Sequence, residues 1–301
     1  MTSKVRTLEE AVGLVSDGDV VALQNMATQA APMALVRELI RQEKRGLGLV
    51  CLVGGMAVDW LAAAGAIDRF IGAAVSMETF GLCQQYRKAV EEGRVRVEEL
   101  SETALNARLA AGARNLPSLP TRGLLGTDLI DVNENLKTFE DPFTGETLVA
   151  CRALVPDVAL VHAHRADAYG NVQIEPTIVW PDLGIFPKAA RKTIVVAEEI
   201  VPESVIRSDP NRTLIPGLVV DAVVHEPFGC HPSYAQGYYD RDNDFYVRWR
   251  ELSQDITKFN SYLDEWVYGV RDRAEYVERM GASLKQLKAR DHFCEPVNYG
   301  Y

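Results

Sequence analysis

The side chains with chemistry to offer sit at the ends of short apolar runs, where a buried strand hands the chain to a turn. Glu102 stands in ELSET (residues 99–103), at the expected start of a helix. A carboxylate there can work as a general base. It also suits the positive end of a helix dipole, which favours the ionised acid. Ser76 closes the run 70–75 and precedes Met77, Glu78 and Thr79; its hydroxyl, or that of Thr79, can cap the next helix. Gly54-Gly55 follow an expected buried strand. Two glycines there either let backbone amides approach a ligand or make a tight turn. Gly126, Thr127 and Asp128 lie in a Pro- and Gly-rich stretch, where Asp128 can equally be an exposed cap.

Two histidine motifs invite stronger claims. His162 and His164 are two apart on an expected strand, so they point the same way, and Asp167 could join them as a third metal ligand. No Cys or Glu completes that set, so the expectation is a hydrogen-bonded pair at the sheet rim and no metal. Cys230-His231 pairs a thiol with an imidazole. Neighbouring residues rarely aim both side chains at one substrate, and Pro232 fixes the loop, so no nucleophilic thiol is expected.

The elements that must position these groups alternate. Thr7 to Glu10 reads as a capping box before Ala11, Val12 and Val15, and Gly18 ends that helix. A strand at 20–23 follows, and Pro32 opens a helix with Leu35, Val36, Leu39 and Ile40 on one face. Strands are expected at 47–53, 70–75 and 95–97, and helices at 57–64, 81–92 and 101–113. Strands return at 148–154, 158–162, 193–197 and 219–224. The pattern predicts an α/β fold: an open, mostly parallel sheet covered by helices on both faces. The stretch 115–147, broken by Pro117, Pro120, Gly123, Gly126, Pro142 and Gly145, reads as a long excursion with little regular structure. From about residue 244 the chain reads as a helical tail covering the sheet, with Tyr246, Trp249, Leu252, Ile256 and Phe259 in helical spacing. One domain over 1–301 is expected.

The 301 residues are 47% hydrophobic and 25% charged, with a net charge of −10. That charge disfavours nucleic acid and anionic membranes as partners. Five scattered cysteines (Cys51, Cys83, Cys151, Cys230, Cys294) without a CxxC pair fit reduced thiols. No signal-like or membrane-spanning apolar stretch is visible, and a cytoplasmic protein is expected.

Several pieces, in order, resemble the α subunit of the class I coenzyme A transferases, glutaconate CoA-transferase type. They are NLPSLPTRGLLGTD (115–128), HAHRADAYGNV (162–172), AEEIV (197–201) and GCHPSYAQGYYDRDN (229–243). The resemblance implies one of two related subunits, each forming half of a shared site. The expected partner is a homologous β subunit, with α2β2 the typical assembly. It implies transfer of CoA from an acyl-CoA to a carboxylic acid, no cofactor beyond the CoA thioester as substrate, and a nucleophilic glutamate in the β subunit. On the same basis Ser76 would hold the acyl group, with Gly54, Gly55, Gly126 and Thr127 lining the substrate cleft. Glu102 stands where transferases tend to carry glutamine. Related enzymes that cleave carbon–carbon bonds in cyclic acyl-CoAs carry glutamate there, which makes hydrolysis, ring cleavage or decarboxylation the alternative.

The chain also departs from the family pattern. Gln24-Asn25 stand where the family commonly has Gly-Gly, and Ala30-Ala31 precede Pro32 where glutaconate-type members carry basic residues. Losing a basic pair removes a partner for a substrate carboxylate. The expectation is therefore a less charged or bulkier acyl group.

Overall fold

The computed structural model describes residues 2–174 and 184–289; Cys294 lies outside them. Twelve strands are described: β1 Val20–Leu23, β2 Leu47–Gly54, β3 Ile67–Val75, β4 Arg96–Glu99, β5 Ser118–Thr121, β6 Leu136–Glu140, β7 Thr147–Arg152, β8 Val158–Ala166, β9 Val172–Gln173, β10 Lys192–Ile200, β11 Thr213–Ile215 and β12 Ala222–His225. Seven form a parallel run in the order β4-β3-β2-β1-β8-β10-β12. The short strands β9 and β11 add antiparallel pairings beyond the end of β8. This is the expected mostly parallel α/β sheet.

Alternation along the strands explains why both faces are covered. In β1, Val21 and Leu23 point into one core with Leu49 and Cys51 of β2, while Ala22 points into the other with Val50 and Leu52. The first core is closed by the helices Met33–Arg41 and Met56–Ala63, the second by Glu102–Ala113 and Ile185–Ala189. The chain leaves β1 toward β2, β3 and β4 on one side and later fills β8, β10 and β12 on the other. The crossover beside β1 is therefore a topological switch point, where α/β folds bind ligands at the carboxyl ends of strands.

The N-terminal capping box is present: Thr7 Oγ1 accepts the Glu10 amide at 3.1 Å, and Glu10 Oε2 accepts the Thr7 amide at 3.0 Å. The tail contains the helices Asn243–Leu252, Ile256–Leu263 and Arg273–Leu287. It is more than a cover. Trp249, buried, lies 5.1 Å from Trp60 ring to ring, and its Nε1 donates to Asp59 Oδ2 at 3.1 Å. Asp59 also accepts the amides of Gln85 and Tyr86; burial pushes its carboxyl up to about 6 against those donors.

One expectation is corrected. The stretch 115–147 holds β5, β6, a short helix Leu129–Val132 and the first residue of β7. These strands form a separate antiparallel sheet, β5-β7-β6. The prolines and glycines hid it because β5 and β6 are both edges. Pro120 on edge strand β5 pairs opposite Ala150 without breaking the sheet, since an edge strand can spare an amide donor. The strand expected at 148–154 belongs here and not to the large sheet.

Candidate active site at the carboxyl rim

The rim has two halves. Over β8 and β10 it is closed by the protein itself. Gln24 Oε1 accepts the His162 amide at 2.9 Å, and His162 Nε2 lies 2.7 Å from Glu198 Oε1. The same oxygen accepts from Tyr239 Oη at 2.6 Å and the Gly229 amide at 3.0 Å, while Glu198 Oε2 accepts the Phe228 amide at 2.6 Å. Burial would raise the Glu198 acid, but the bond and charge of His162, with the Tyr239 and Phe228 donors, hold it below its ordinary value. A carboxylate so fully engaged is a structural tether. His164, buried beside it, has its imidazole pushed down to about 4 by burial and by the neighbouring His162. Asp167 holds the turn at Gly170-Asn171, accepting the amides of Tyr169 and Asn171 and the Asn171 side chain. Among the described residues no three His, Cys, Asp or Glu side chains converge to hold a metal.

Cys230 and His231 also belong to the closed half. The Cys230 thiol is fully buried and burial pushes it well above its ordinary value, so it is not a ready thiolate. His231 faces away, with Nδ1 2.8 Å from Tyr276 Oη and Nε2 2.9 Å from Asp242 Oδ2. Burial pushes that imidazole down to about 4.

The other half, over β1 to β4, is open. Ser76 and Glu102 leave neighbouring strands: Gly72 of β3 pairs with Glu99 of β4. Glu102 is exposed on the first turn of its helix; Ser101 is the cap, accepting the Ala104 amide at 3.2 Å. The Glu102 carboxylate makes no hydrogen bond or ion pair to a described residue. Ser76 is half-buried. Its Oγ accepts the Glu78 amide at 3.0 Å, the local role expected of a capping hydroxyl, and this leaves its proton to donate. Gly123, in the loop before Gly126, packs against Thr103 beside Glu102. Gly126 takes a left-handed φ of 79°, and Thr127 Oγ1 donates to the Leu124 carbonyl at 2.8 Å, so these two residues make an exposed turn. Asp128 starts the helix Leu129–Val132 without a side-chain cap bond.

Gly54 and Gly55 serve the chain's own backbone. A Cβ on Gly55 would stand 1.8 Å from the Ala27 carbonyl oxygen. The loop after β1 is thus pressed onto the end of β2, and Ala27 donates its amide to Val53 O at 2.8 Å. Asn25 braces the same loop: its Nδ2 reaches the carbonyls of Ala27 and Gln29, and its Oδ1 accepts the Gly55 amide at 3.1 Å. Ala27 and Ala30 take left-handed φ values of 49° and 51° within this loop.

Sequence reasoning missed a polar chain joining the two halves. Thr28 Oγ1, buried, donates to Glu78 Oε2 at 2.9 Å and accepts from Arg241 Nη1 at 2.7 Å. The Arg241 guanidinium lies over the Phe80 ring, 4.8 Å from its centre. Tyr234 Oη donates to Gln29 Oε1 at 2.8 Å. Arg241 stands within the motif GCHPSYAQGYYDRDN, but spacing alone does not reveal that it returns to the first loop more than 200 residues earlier.

Residues 5–226 match the coenzyme A transferase family. The chain belongs to that family. The CoA-transferase fold extends to the whole chain: the glutaconate coenzyme A-transferase structure from Acidaminococcus fermentans is 32% identical, covers 96% of both chains and superposes with a TM-score of 0.91. One subunit of the 3-oxoadipate CoA-transferase of Pseudomonas knackmussii is 37% identical over 91% of this chain and 97% of its own. A cholesterol ring-cleaving hydrolase IpdA subunit from Rhodococcus jostii is 30% identical over 88% of this chain and 92% of its own. This CoA-transferase subunit therefore carries its family's fold from the first loop through the helical tail.

Proposed function

We propose that the chain is the α subunit of a heteromeric acyl-CoA transferase and works with a homologous partner, two of each being the expected assembly. The carrying observation is that its nearly full length aligns with single subunits of CoA-transferases while its own rim holds no ready nucleophile among the described residues. The described cysteines are buried thiols, the acid at the closed rim is tethered, and the exposed groups are a serine, a threonine and Glu102.

In this reading a glutamate carboxylate of the partner attacks the acyl-CoA carbonyl and displaces the CoA thiolate, leaving an acyl–glutamyl anhydride. The thiolate then attacks the glutamyl carbonyl, releasing the first carboxylate and forming a glutamyl-CoA thioester, and the acceptor acid reverses both steps. A carboxylate is a weak nucleophile in water and gains from being held against the carbonyl in a dry cleft. This chain supplies the facing wall: Ser76 as hydrogen-bond donor to the acyl group, and the 121–128 loop beside Glu102 as the outer lip.

The test is to incubate the purified heteromer with an acyl-CoA, reduce with borohydride and map the modified polypeptide by mass. Modification of a partner glutamate is expected; a modified residue on this chain would overturn the assignment.

A second reading rests on one observation, the exposed and unpaired carboxylate of Glu102 in a relative of a ring-cleaving hydrolase. There Glu102 would act as general base in hydrolysis, ring cleavage or decarboxylation of an acyl-CoA. Glu102→Gln separates the two. Transfer keeps its rate within about threefold, whereas removal of a general base costs about 10²–10⁴-fold.

A further inference from the structure

The loop after β3 places a carboxylate of the protein in a seat built for one. Glu78 has a left-handed φ of 53°, a conformation that costs a non-glycine residue energy unless the surroundings hold it. Ser76 Oγ holds it by accepting its amide. The side chain is directed at the buried Thr28, whose hydroxyl donates to Oε2 at 2.9 Å, and Arg241 Nη1 stands 3.7 Å from the same oxygen. The guanidinium is fixed in turn: Nη1 donates to Thr28, Nε donates to Asn243 Oδ1 at 2.8 Å, and Phe80 and Tyr246 lie 4.8 Å and 5.9 Å below it. A hydroxyl donor and an arginine converging on one oxygen is how a protein recognises a carboxylate. The cluster lies on the open rim beside Ser76, and Glu78 and Arg241 remain 41% and 28% exposed.

We propose that Glu78 occupies the position of a distal substrate carboxylate, so that this protein selects acyl groups with uncharged tails. The proposal rests on the acyl-CoA reading above and specifies the substrate class of that site. With Glu78 seated, the Arg241 charge is neutralised within the chain. A diacid thioester brings its second carboxylate toward an anion already bound, while a monoacid meets Phe80 and the aliphatic part of Arg241.

The test uses the heteromer with its partner and two thioesters of equal chain length, pentanoyl-CoA and glutaryl-CoA, comparing kcat/KM. Wild type should favour pentanoyl-CoA by at least about tenfold, within the range that one buried charge contact can discriminate. Glu78→Gln frees the arginine and should lower that preference by about tenfold or more, through a gain on glutaryl-CoA. Arg241→Gln leaves Glu78 without its counter-charge and should raise the preference. It also guards against a Glu78 variant that fails to fold. A wild-type preference for glutaryl-CoA, or equal losses on both thioesters in both variants, would overturn the selectivity while leaving transfer intact. No turnover of either thioester by the wild-type heteromer would overturn transfer and selectivity together.

Discussion

The two halves of the rim differ in what their polar groups do. Over β8 and β10 the histidines, the Glu198 carboxylate and the Tyr239 hydroxyl are buried and bonded to one another and to the backbone of the 228–230 loop. Over β3 and β4 the groups are few and plain, a serine, an acid on a first helical turn and an exposed turn threonine, and they face outward. The half richest in chemistry-bearing residues is the scaffold. The poorer half is where substrate has room. Titratable side chains crowd together in a closed region because burial obliges each to find a partner.

Cutting the tether should break this contrast most severely. Glu198→Ala strips His162, Tyr239 and two amides of a shared acceptor inside the protein, and a loss of about 3–5 kcal/mol is expected from urea unfolding. A loss below about 1 kcal/mol would mean the closed half is wetter and looser than its bonds imply.

A glycine pair sharpens the comparison at smaller scale. Gly55→Ala drives a methyl into the Ala27 carbonyl and should cost about 1–3 kcal/mol or more, with disruption of the first loop. Gly126→Ala meets no atom within 4 Å and carries only the strain of its positive φ, about 1 kcal/mol. Equal costs would contradict the assignment of Gly55 to close packing and Gly126 to an open turn.

Acid dependence gives a smaller effect. Burial raises Glu226 to about 7, above its unfolded value, so the folded chain holds more protons at this site through the window below 7, and its contribution falls as pH rises. His231, lowered to about 4, acts oppositely: below its unfolded value the unfolded chain takes up more protons, and stability is lost as pH falls toward 4. The two slopes offset one another. Glu226→Gln removes one of them, so stability between pH 5 and 6.5 should fall with acid more steeply than in wild type, by up to about 1 kcal/mol per pH unit. Thermal unfolding across that range measures it; an unchanged or shallower slope would refute the opposition.

Much of the fold could be read from the chain. The β-branched runs at 20–23, 47–53 and 193–197 carry the alternation that fills two cores, and the Thr7–Glu10 capping box is local chemistry. The small sheet was hidden because Pro120 and Gly145 signal breaks without revealing that they lie at an edge and in a hairpin loop. Ser76 and Glu102 could be picked out as strand-end and helix-start residues. Glu198 was seen only as part of a strand end, because its partners come from residues 162, 228, 229 and 239. Thr28, Glu78 and Arg241 likewise meet only after folding.

Hydrogen exchange on the heteromer, with and without a bound acyl-CoA, tests the central division directly. Slowed exchange is expected in segments 76–83, 99–106 and 121–129, with 158–166 and 226–239 unchanged. Protection confined to the latter two segments would contradict the account, because it would place the substrate over the half of the rim that the protein fills for itself.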